Sequence, residues 1–230
     1  MAAAFASAVG DELLDHPGAD PAAVRTSLRN IARSNRLFGG TAAVLYGLDR
    51  LLGADRRPPA LTLLDLGTGA GDIPAAARGW GAERGIAVRT FGLERLRPAA
   101  TLAAARTLPV ALGCVSALPF RTASVDVVTI SQVLHHCDPA LASRLLADAT
   151  RVARRGVVVA DLLRSRTAAV LFRLASRALG FDAHTREDGA TSVARGYTAD
   201  ELRALGLGAG VQAEVAVRPG WRVVAWWPAR

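Results

Sequence analysis

Three glycines at alternate positions, bracketed by two carboxylates, make Asp65-Leu66-Gly67-Thr68-Gly69-Ala70-Gly71-Asp72 the chemically densest stretch of the chain. Glycine lets the backbone turn with positive φ and come close to a ligand. The helix that follows such a turn offers unpaired N–H groups. A dinucleotide fingerprint is spaced G-x-G-x-x-G so that the helix faces a pyrophosphate, whereas the spacing here is G-x-G-x-G with Asp65 before it and Asp72 after it. Acidic flanks suit a ligand bearing an ammonium and a sulfonium better than a pyrophosphate. Glu94, at the end of the next apolar run, stands where a carboxylate accepts hydrogen bonds from both ribose hydroxyls.

A second set of reactive residues follows the fourth apolar run. An imidazole with a pKa near ~6.5 can take the proton of a phenolic hydroxyl, near ~10 by analogy with Tyr, so His135 and His136 are candidate bases, with His136 slightly ahead. One of them could instead bond backbone or cap the helix begun by Asp138-Pro139. Ser131 and Gln132 leave the same run and could touch the ligand, and Asp161 ends the fifth run near the same edge; each could equally satisfy a loop. His184 lies in a polar connection, Asp182 to Asp188, and reads as a surface histidine. Cys114 and Cys137 are the only cysteines, which gives neither a disulfide framework nor a zinc or redox C-x-x-C pattern. No metal-ligand set is expected.

Around these residues the apolar pattern changes period. From Leu61 onward it forms short continuous runs, as in parallel strands buried on both faces: Leu61–Leu66, Val88–Leu93, Val110–Val115, Val125–Ile130 and Val157–Leu162. Helical connections are expected around Pro74–Gly85, Pro98–Thr107 and Pro139–Ala153, so βα units alternate into a doubly wound sheet. Thr198-Ala199-Asp200-Glu201 is a capping box opening a short helix. After it, Val211–Val217 and Trp221–Trp227 flank Arg218-Pro219-Gly220 as a hairpin that closes the sheet with an antiparallel edge, on which Trp221, Trp226 and Trp227 pack. Before the sheet, Asp20-Pro21 starts a helix with Val24, Leu28, Ile31 and Asn35 on one face and Arg25, Arg29, Arg33 and Arg36 on another. A second helix, Thr41–Leu52, ends at Gly53, and Arg56-Arg57-Pro58-Pro59 reads as a linker. The organisation expected is one unit over residues 1–230, with a helical preface or lid (1–60), a sheet core (61–230) and an insertion over the site (163–200). In that insertion the helix Thr167–Leu179 turns Leu171, Leu174, Ala175, Ala178 and Leu179 to one side as a substrate cover.

Composition narrows the setting. The chain has 230 residues, about half of them apolar, and its 28 basic residues are all arginine. A pool without lysine reflects coding bias as readily as selection for charge, so the net charge of +8 is read mainly as a solvated surface and nucleic acid is not the expected partner. Met1–Phe5 lacks a basic leader region, Asp11 and Glu12 follow closely, and no apolar run approaches the ~18 residues of a membrane span. A soluble, unprocessed, cytoplasmic protein is expected; no residue pattern sets an oligomeric state.

With these motifs assembled, the chain resembles the class I S-adenosylmethionine-dependent methyltransferases, in the small-molecule group similar to ubiquinone/menaquinone-type enzymes. The resemblance runs from about Leu61 to Leu162 through Asp65–Gly71, Gly92-Leu93-Glu94, Ala117-Leu118-Pro119-Phe120, Ser124–Val128 and Val133-Leu134-His135-His136-Cys137-Asp138-Pro139. It implies a Rossmann-like seven-stranded α/β sheet, order 3-2-1-4-5-7-6 with the last strand antiparallel. It further implies that S-adenosyl-L-methionine is held by Asp65 at the ammonium, by Gly67, Thr68, Gly69 and Gly71 at the methionine end and by Glu94 at the ribose. Ser131 and Gln132 join these contacts. Two departures from the family pattern lie at the adenine end. Gly113-Cys114-Val115 replaces Gly-Asp-Ala, which leaves Val115 and Ser116 to hold the adenine through backbone, and Arg95 replaces an apolar residue and either stacks on the adenine or points to solvent.

The acceptor expected is a small, largely apolar metabolite. The segments Asn30–Gly40 and Asp188–Arg195 look like those of methyltransferases from polyketide or phenolic-lipid pathways, which points to O-methylation in secondary metabolism. Two alternatives stand beside it. A nucleic-acid methyltransferase would fit the charge, but Ser131-Gln132-Val133-Leu134 lacks the Asn/Asp-Pro-Pro-aromatic motif and Cys137 lacks a Pro-Cys context. A catalytically silent S-adenosylmethionine-binding module would keep the same turn and Glu94.

Overall fold

The computed structural model describes residues 12–16, 18–53 and 58–229. The leader reading at residues 1–11 and the Arg56-Arg57 half of the linker lie outside them. Seven strands form one sheet: β1 (Ala60–Leu66), β2 (Ala87–Glu94), β3 (Val110–Leu112), β4 (Val125–Ser131), β5 (Ala153–Leu162), β6 (Glu214–Arg218) and β7 (Arg222–Pro228). Their order is β3-β2-β1-β4-β5-β7-β6, parallel from β3 to β5, with β7 antiparallel to both its neighbours. This is the expected α/β architecture.

Strand alternation sends successive side chains to two cores. Leu64, Val128, Val157 and Trp227 meet Leu145 and Leu146 of α5 (Pro139–Val152) and Leu202 of α8 (Ala199–Gly208) on one face. Leu63, Val127, Val158 and Trp226 meet Val44 and Leu48 of α2 (Gly40–Leu52) and Ile73 and Trp80 of α3 (Asp72–Ala82) on the other. Burial on both faces explains why the strands read as unbroken apolar runs. The completing helices are α1 (Pro21–Leu37), α4 (Arg97–Ala104), α6 (Arg166–Ala178) and α7 (Ala183–Arg195). No helix of the described residues is long and apolar enough to cross a membrane.

Several boundaries differ from expectation. The third strand stops at Leu112: the Gly113 N–H still donates to the Glu94 carbonyl, and the chain then turns over Cys114–Ala117, where the Ala117 N–H donates to the Cys114 carbonyl. The fifth begins four residues early, at Ala153, paired with Val125. The sixth begins only at Glu214, where pairing with β7 starts. The polar connection around His184 is helix α7: the Asp182 side chain accepts from the Thr185 N–H and caps it, and His184 is exposed. The expected apolar cover face of α6 is also turned round. Val170, Leu171 and Leu174 face solvent, whereas Ala168, Phe172 and Ser176 face inward. Trp226 and Trp227 are buried in the hairpin, but Trp221 is 40% exposed.

Helix α1 is capped by Asp20, which accepts from the Ala23 N–H at 2.8 Å, and it buries Val24, Leu28 and Asn35. Asn30 Nδ2 donates to Asp182 Oδ2 at 2.9 Å, tying α1 to the start of α7. Arg33, on the arginine face of α1, donates to the Leu179 carbonyl at 2.9 Å.

Candidate functional site

The carboxyl ends of β1, β2, β4 and β5 open into a cavity of about 270 Å³, roofed by α1, α7 and a short 3-10 turn at Leu13–Asp15. It lies beside the junction of β1 and β4, where the connections reverse direction, the usual place for a ligand in an open α/β sheet.

At the β1 end the glycine turn is built for close approach. Gly67 and Gly69 have φ of 69° and 53°, and a Cβ on Gly67 would lie 2.6 Å from Val133 Cγ2. Both line the cavity with Thr68. Gly71 has φ of 74° as well, but it packs against Ala103 of α4 and lies outside the lining, so it serves the turn and helix contact. Glu94 fixes the turn: its Oε2 accepts from the Gly69 N–H at 2.9 Å and its Oε1 from the Leu96 N–H at 2.8 Å. Each oxygen keeps a lone pair for a ligand hydroxyl. Asp65 is buried and receives the Thr129 hydroxyl at 2.6 Å; burial pushes its pKa up to about 7, against that hydrogen bond. Burial also raises the Asp72 carboxyl, which accepts from Asn35 Nδ2 at 3.0 Å.

Cys114 and Val115 line the cavity, whereas Ser116 is exposed and does not. Arg95 is exposed and donates to the Leu14 carbonyl of the roofing turn. Arg36 is exposed and away from the cavity, while its neighbour Asn35 lines it. Ser131 lines the cavity with a buried hydroxyl that has no hydrogen-bond partner among the described residues. Gln132, at φ of 55°, joins a polar chain: Arg222 Nη1 donates to its Oε1 at 3.2 Å, and its Nε2 donates to Asn35, which in turn reaches Asp72.

Beyond β4 the wall changes character. His135 and His136 occupy a 3-10 turn, with ring centroids 4.2 Å apart. His135 Nδ1 is 2.6 Å from Asp161 Oδ1, which also accepts from the Leu162 N–H at 2.7 Å. Asp161 is fully buried, yet these donors hold its carboxyl below the ordinary carboxylate range. None of the described residues hydrogen-bonds His135 Nε2. His136 Nδ1 is 2.8 Å from Asp15 Oδ1. Arg195 Nη1 stands 2.9 Å from Asp15 Oδ2 and 3.3 Å from Glu12 Oε1, and Ser192 donates to Glu12 Oε2 at 2.8 Å. Burial pushes Glu12 up to about 6 despite the charges beside it. Ligand atoms of Glu12, His135 and His136 come within 4.8 Å of one another, a spacing a cation could use, but the Arg195 guanidinium already neutralises Glu12.

Sequence reasoning missed Glu12, Asp15, Arg195 and Arg222. The first three meet only in the folded chain: Asp15 lies 121 residues from His136 and 180 from Arg195. Arg222 did leave a signal, as a lone charge opening the otherwise apolar run Arg222-Val223-Val224-Ala225-Trp226-Trp227, and lone charges are rarely buried without a purpose.

The residues at the β1 end fit S-adenosylmethionine. A buried acid stands ready for an ammonium, a backbone-held carboxylate for the ribose, and the unpartnered Ser131 hydroxyl for a polar group. Residues 64–160 match the model of a family described as a methyltransferase domain. No curated protein matches the chain in sequence. Among solved structures, the chain is similar to a SAM-dependent methyltransferase from Aquifex aeolicus (15% identity, 92% of this chain and 99% of that one, TM-score 0.61). It is also similar to the magnesium protoporphyrin IX methyltransferase of Synechocystis PCC 6803 with bound SAH (14% identity, 86% of each chain, TM-score 0.57). A third likeness is to NcsB1, an O-methyltransferase from neocarzinostatin biosynthesis in complex with SAH and 1,4-dihydroxy-2-naphthoic acid (17% identity, 91% of this chain and 59% of that one, TM-score 0.64). The family match over residues 64–160, the shared strand order and the fit of the glycine turn and Glu94 agree: the chain carries a methyltransferase domain with the fold of S-adenosylmethionine-dependent methyltransferases.

Proposed function

We propose that this enzyme methylates the phenolic or enolic hydroxyl of a small, largely apolar acceptor of the polyketide type, with His135 as the base. The His135–Asp161 pair carries this reading. A buried carboxylate at Nδ1 sets the tautomer that leaves the Nε2 lone pair toward the cavity. The sequence alone favours His136; its Nδ1 goes to Asp15 in the roof, and its Nε2 stands 3.9 Å from Glu12. It is better placed to anchor the roofing turn.

When bound, S-adenosylmethionine supplies a methyl group already activated on a sulfonium. The protein's task is to place the acceptor hydroxyl in line and take its proton at His135 Nε2. Asp161 then stabilises the imidazolium. Leu28, Ile31, Phe172 and Val193 give the cavity an apolar wall suited to an aromatic acceptor. Helix α1 and the 163–200 segment act as the cover, and water is excluded when they close. NcsB1, with a dihydroxynaphthoic acid bound, supports the acceptor class by analogy of fold. The two cysteines are free, in keeping with a reducing cytoplasm.

The test is incubation with labelled S-adenosylmethionine and pools of phenols, quinols and RNA, followed by kinetics on whichever phenol takes the label. His135→Ala is expected to lower kcat by roughly 100- to 10,000-fold, with SAH affinity unchanged. Asp161→Asn should lower it less and shift the acid limb of the pH profile. Label in RNA alone, or near-native turnover by His135→Ala between pH 6 and 9, overturns the reading.

A further inference from the structure

Arg222 is 3% exposed and lines the cavity, yet among the described residues no carboxylate pairs with it. Among the described residues its guanidinium donates only to neutral acceptors, the Phe38 carbonyl at 3.0 Å and Gln132 Oε1 at 3.2 Å. Burying an arginine without a counter-charge is costly, and an incoming anion would relieve that cost. Asp161 lies within electrostatic reach, but its Oδ1 is occupied by His135 and the Leu162 N–H, and its buried Oδ2 takes no hydrogen bond from any described residue, Arg222 included. The supporting backbone is itself strained, since Gln132 adopts φ of 55° while its side-chain carbonyl meets Arg222.

Position decides which anion the guanidinium takes. Arg222 pairs with Leu162, so it rises beside the carboxyl edge of β5. The order β1-β4-β5-β7 sets its backbone three strands from β1, about 14 Å at the usual spacing. The cofactor end around β1 carries three carboxylates, Asp65, Asp72 and Glu94, against one arginine, Arg95, which is exposed and turned to the Leu14 carbonyl, so the balance there repels a carboxylate on an acceptor and favours Arg222. In the strand register Leu162 is opposite Arg222 and Asp161 opposite Val223, so Asp161 and the guanidinium leave the sheet on opposite faces, but His135 and Arg222 both line the cavity above this edge.

The geometry points to a carboxylate subsite at Arg222: the acceptor is a hydroxyaryl carboxylic acid, its carboxylate on this guanidinium and its reacting hydroxyl toward His135. This rests on the O-methylation reading above. A guanidinium presents a planar fork that matches a carboxylate bidentately, so a neutral ester in the same place loses the charge and part of the geometry.

Hydroxybenzoic and hydroxynaphthoic acids should be compared with their methyl esters in wild type, Arg222→Met and Arg222→Lys, with SAH affinity measured by calorimetry for each. Wild type is expected to favour acid over ester by about 30-fold or more in kcat/KM, mostly through KM. Arg222→Met should erase that preference with SAH affinity unchanged, and Arg222→Lys should keep part of it. Equal use of acid and ester by wild type overturns the proposal without any variant. A tenfold loss of SAH affinity in Arg222→Met also overturns it, by assigning the guanidinium to the methionine carboxylate. If no phenol is methylated in either form, O-methylation has failed; binding of the acids but not the esters to the SAH-loaded wild type then supports the subsite alone, and no difference rejects it.

Discussion

The two ends of the cavity are built on opposite plans. The cofactor end is local: Asp65, the glycine turn, Glu94 and Leu96 follow one another through a single βαβ unit, and the contacts that shape it are largely backbone N–H groups on one carboxylate. The end proposed for the acceptor is assembled at long range, from the Leu13–Asp15 turn, the histidine turn, the end of β5, α7 and the first residue of β7. One end is mainly acidic, with Arg95 as its one lining cation among the described residues, and the other interleaves His, Arg and carboxylates. Geometry defines the first and charge pairing the second, so they should fail in different ways.

For cofactor affinity, the largest effect is expected from the backbone of the cofactor end. Gly67→Ala forces a side chain onto φ of 69° and against Val133. It should weaken SAH on the order of 10- to 100-fold, read by calorimetry; an unchanged affinity would mean that the turn adapts and geometry is not the limiting factor there.

A pH series probes the same end through charge. Asp65 titrates near 7 in the folded chain against an ordinary 3.8, so between those values the folded state holds a proton that the unfolded chain has released. Its contribution therefore lowers stability as pH rises from about 4 to 7 and is flat above, while an ammonium-bearing ligand prefers the ionised form. SAH affinity should fall by up to about tenfold per pH unit below 7, and Asp65→Asn should flatten the curve and weaken binding at pH 8. A flat wild-type profile would remove Asp65 from ammonium recognition.

At the acceptor end the expected damage is to stability. Arg195→Met leaves Glu12 and Asp15 without their shared guanidinium, and breaking a buried pair of this kind costs about 3 kcal/mol, or about 6–12 °C in Tm. A Tm change under 2 °C would show that charge pairing does not hold the roof. The smallest effect concerns Cys114, a weak acceptor on the cavity wall. Cys114→Asp should tighten SAH about threefold by adding a carboxylate for the adenine amino group, and weaker binding would discard that account of the departure.

The contrast also explains what could be read in advance. Continuous apolar runs identify strands buried on both faces, and the Asp65–Asp72 turn with Glu94 identifies the cofactor, because both signals are contiguous. Helix α7 escapes notice because its composition is polar and Gly189 interrupts it. Yet that glycine is where the Phe172 ring packs, so a residue read as a loop former is a packing requirement. The Asp182 cap is visible in the sequence but easily undervalued. The amphipathic pattern of α6 is visible too, but it does not say which side faces the protein, and the larger aliphatic side chains face solvent. Pairs such as Asp15 with His136 leave no local trace, since neither residue needs the other until the chain has folded.

Strand β7 has a bearing on how the enzyme comes into being. It follows the other six strands in sequence, yet it is inserted between β5 and β6, with every residue from Arg222 to Trp227 buried. During synthesis the first five strands can therefore pair while the slot beside β5 stays open. The seventh, emerging last of the set, closes that slot and carries Arg222 to the cavity in the same movement. A chain interrupted before Arg222 would lack Val223, Ala225 and Trp227 from one core and Val224 and Trp226 from the other, so translation through this strand finishes both faces of the sheet together with the cavity wall.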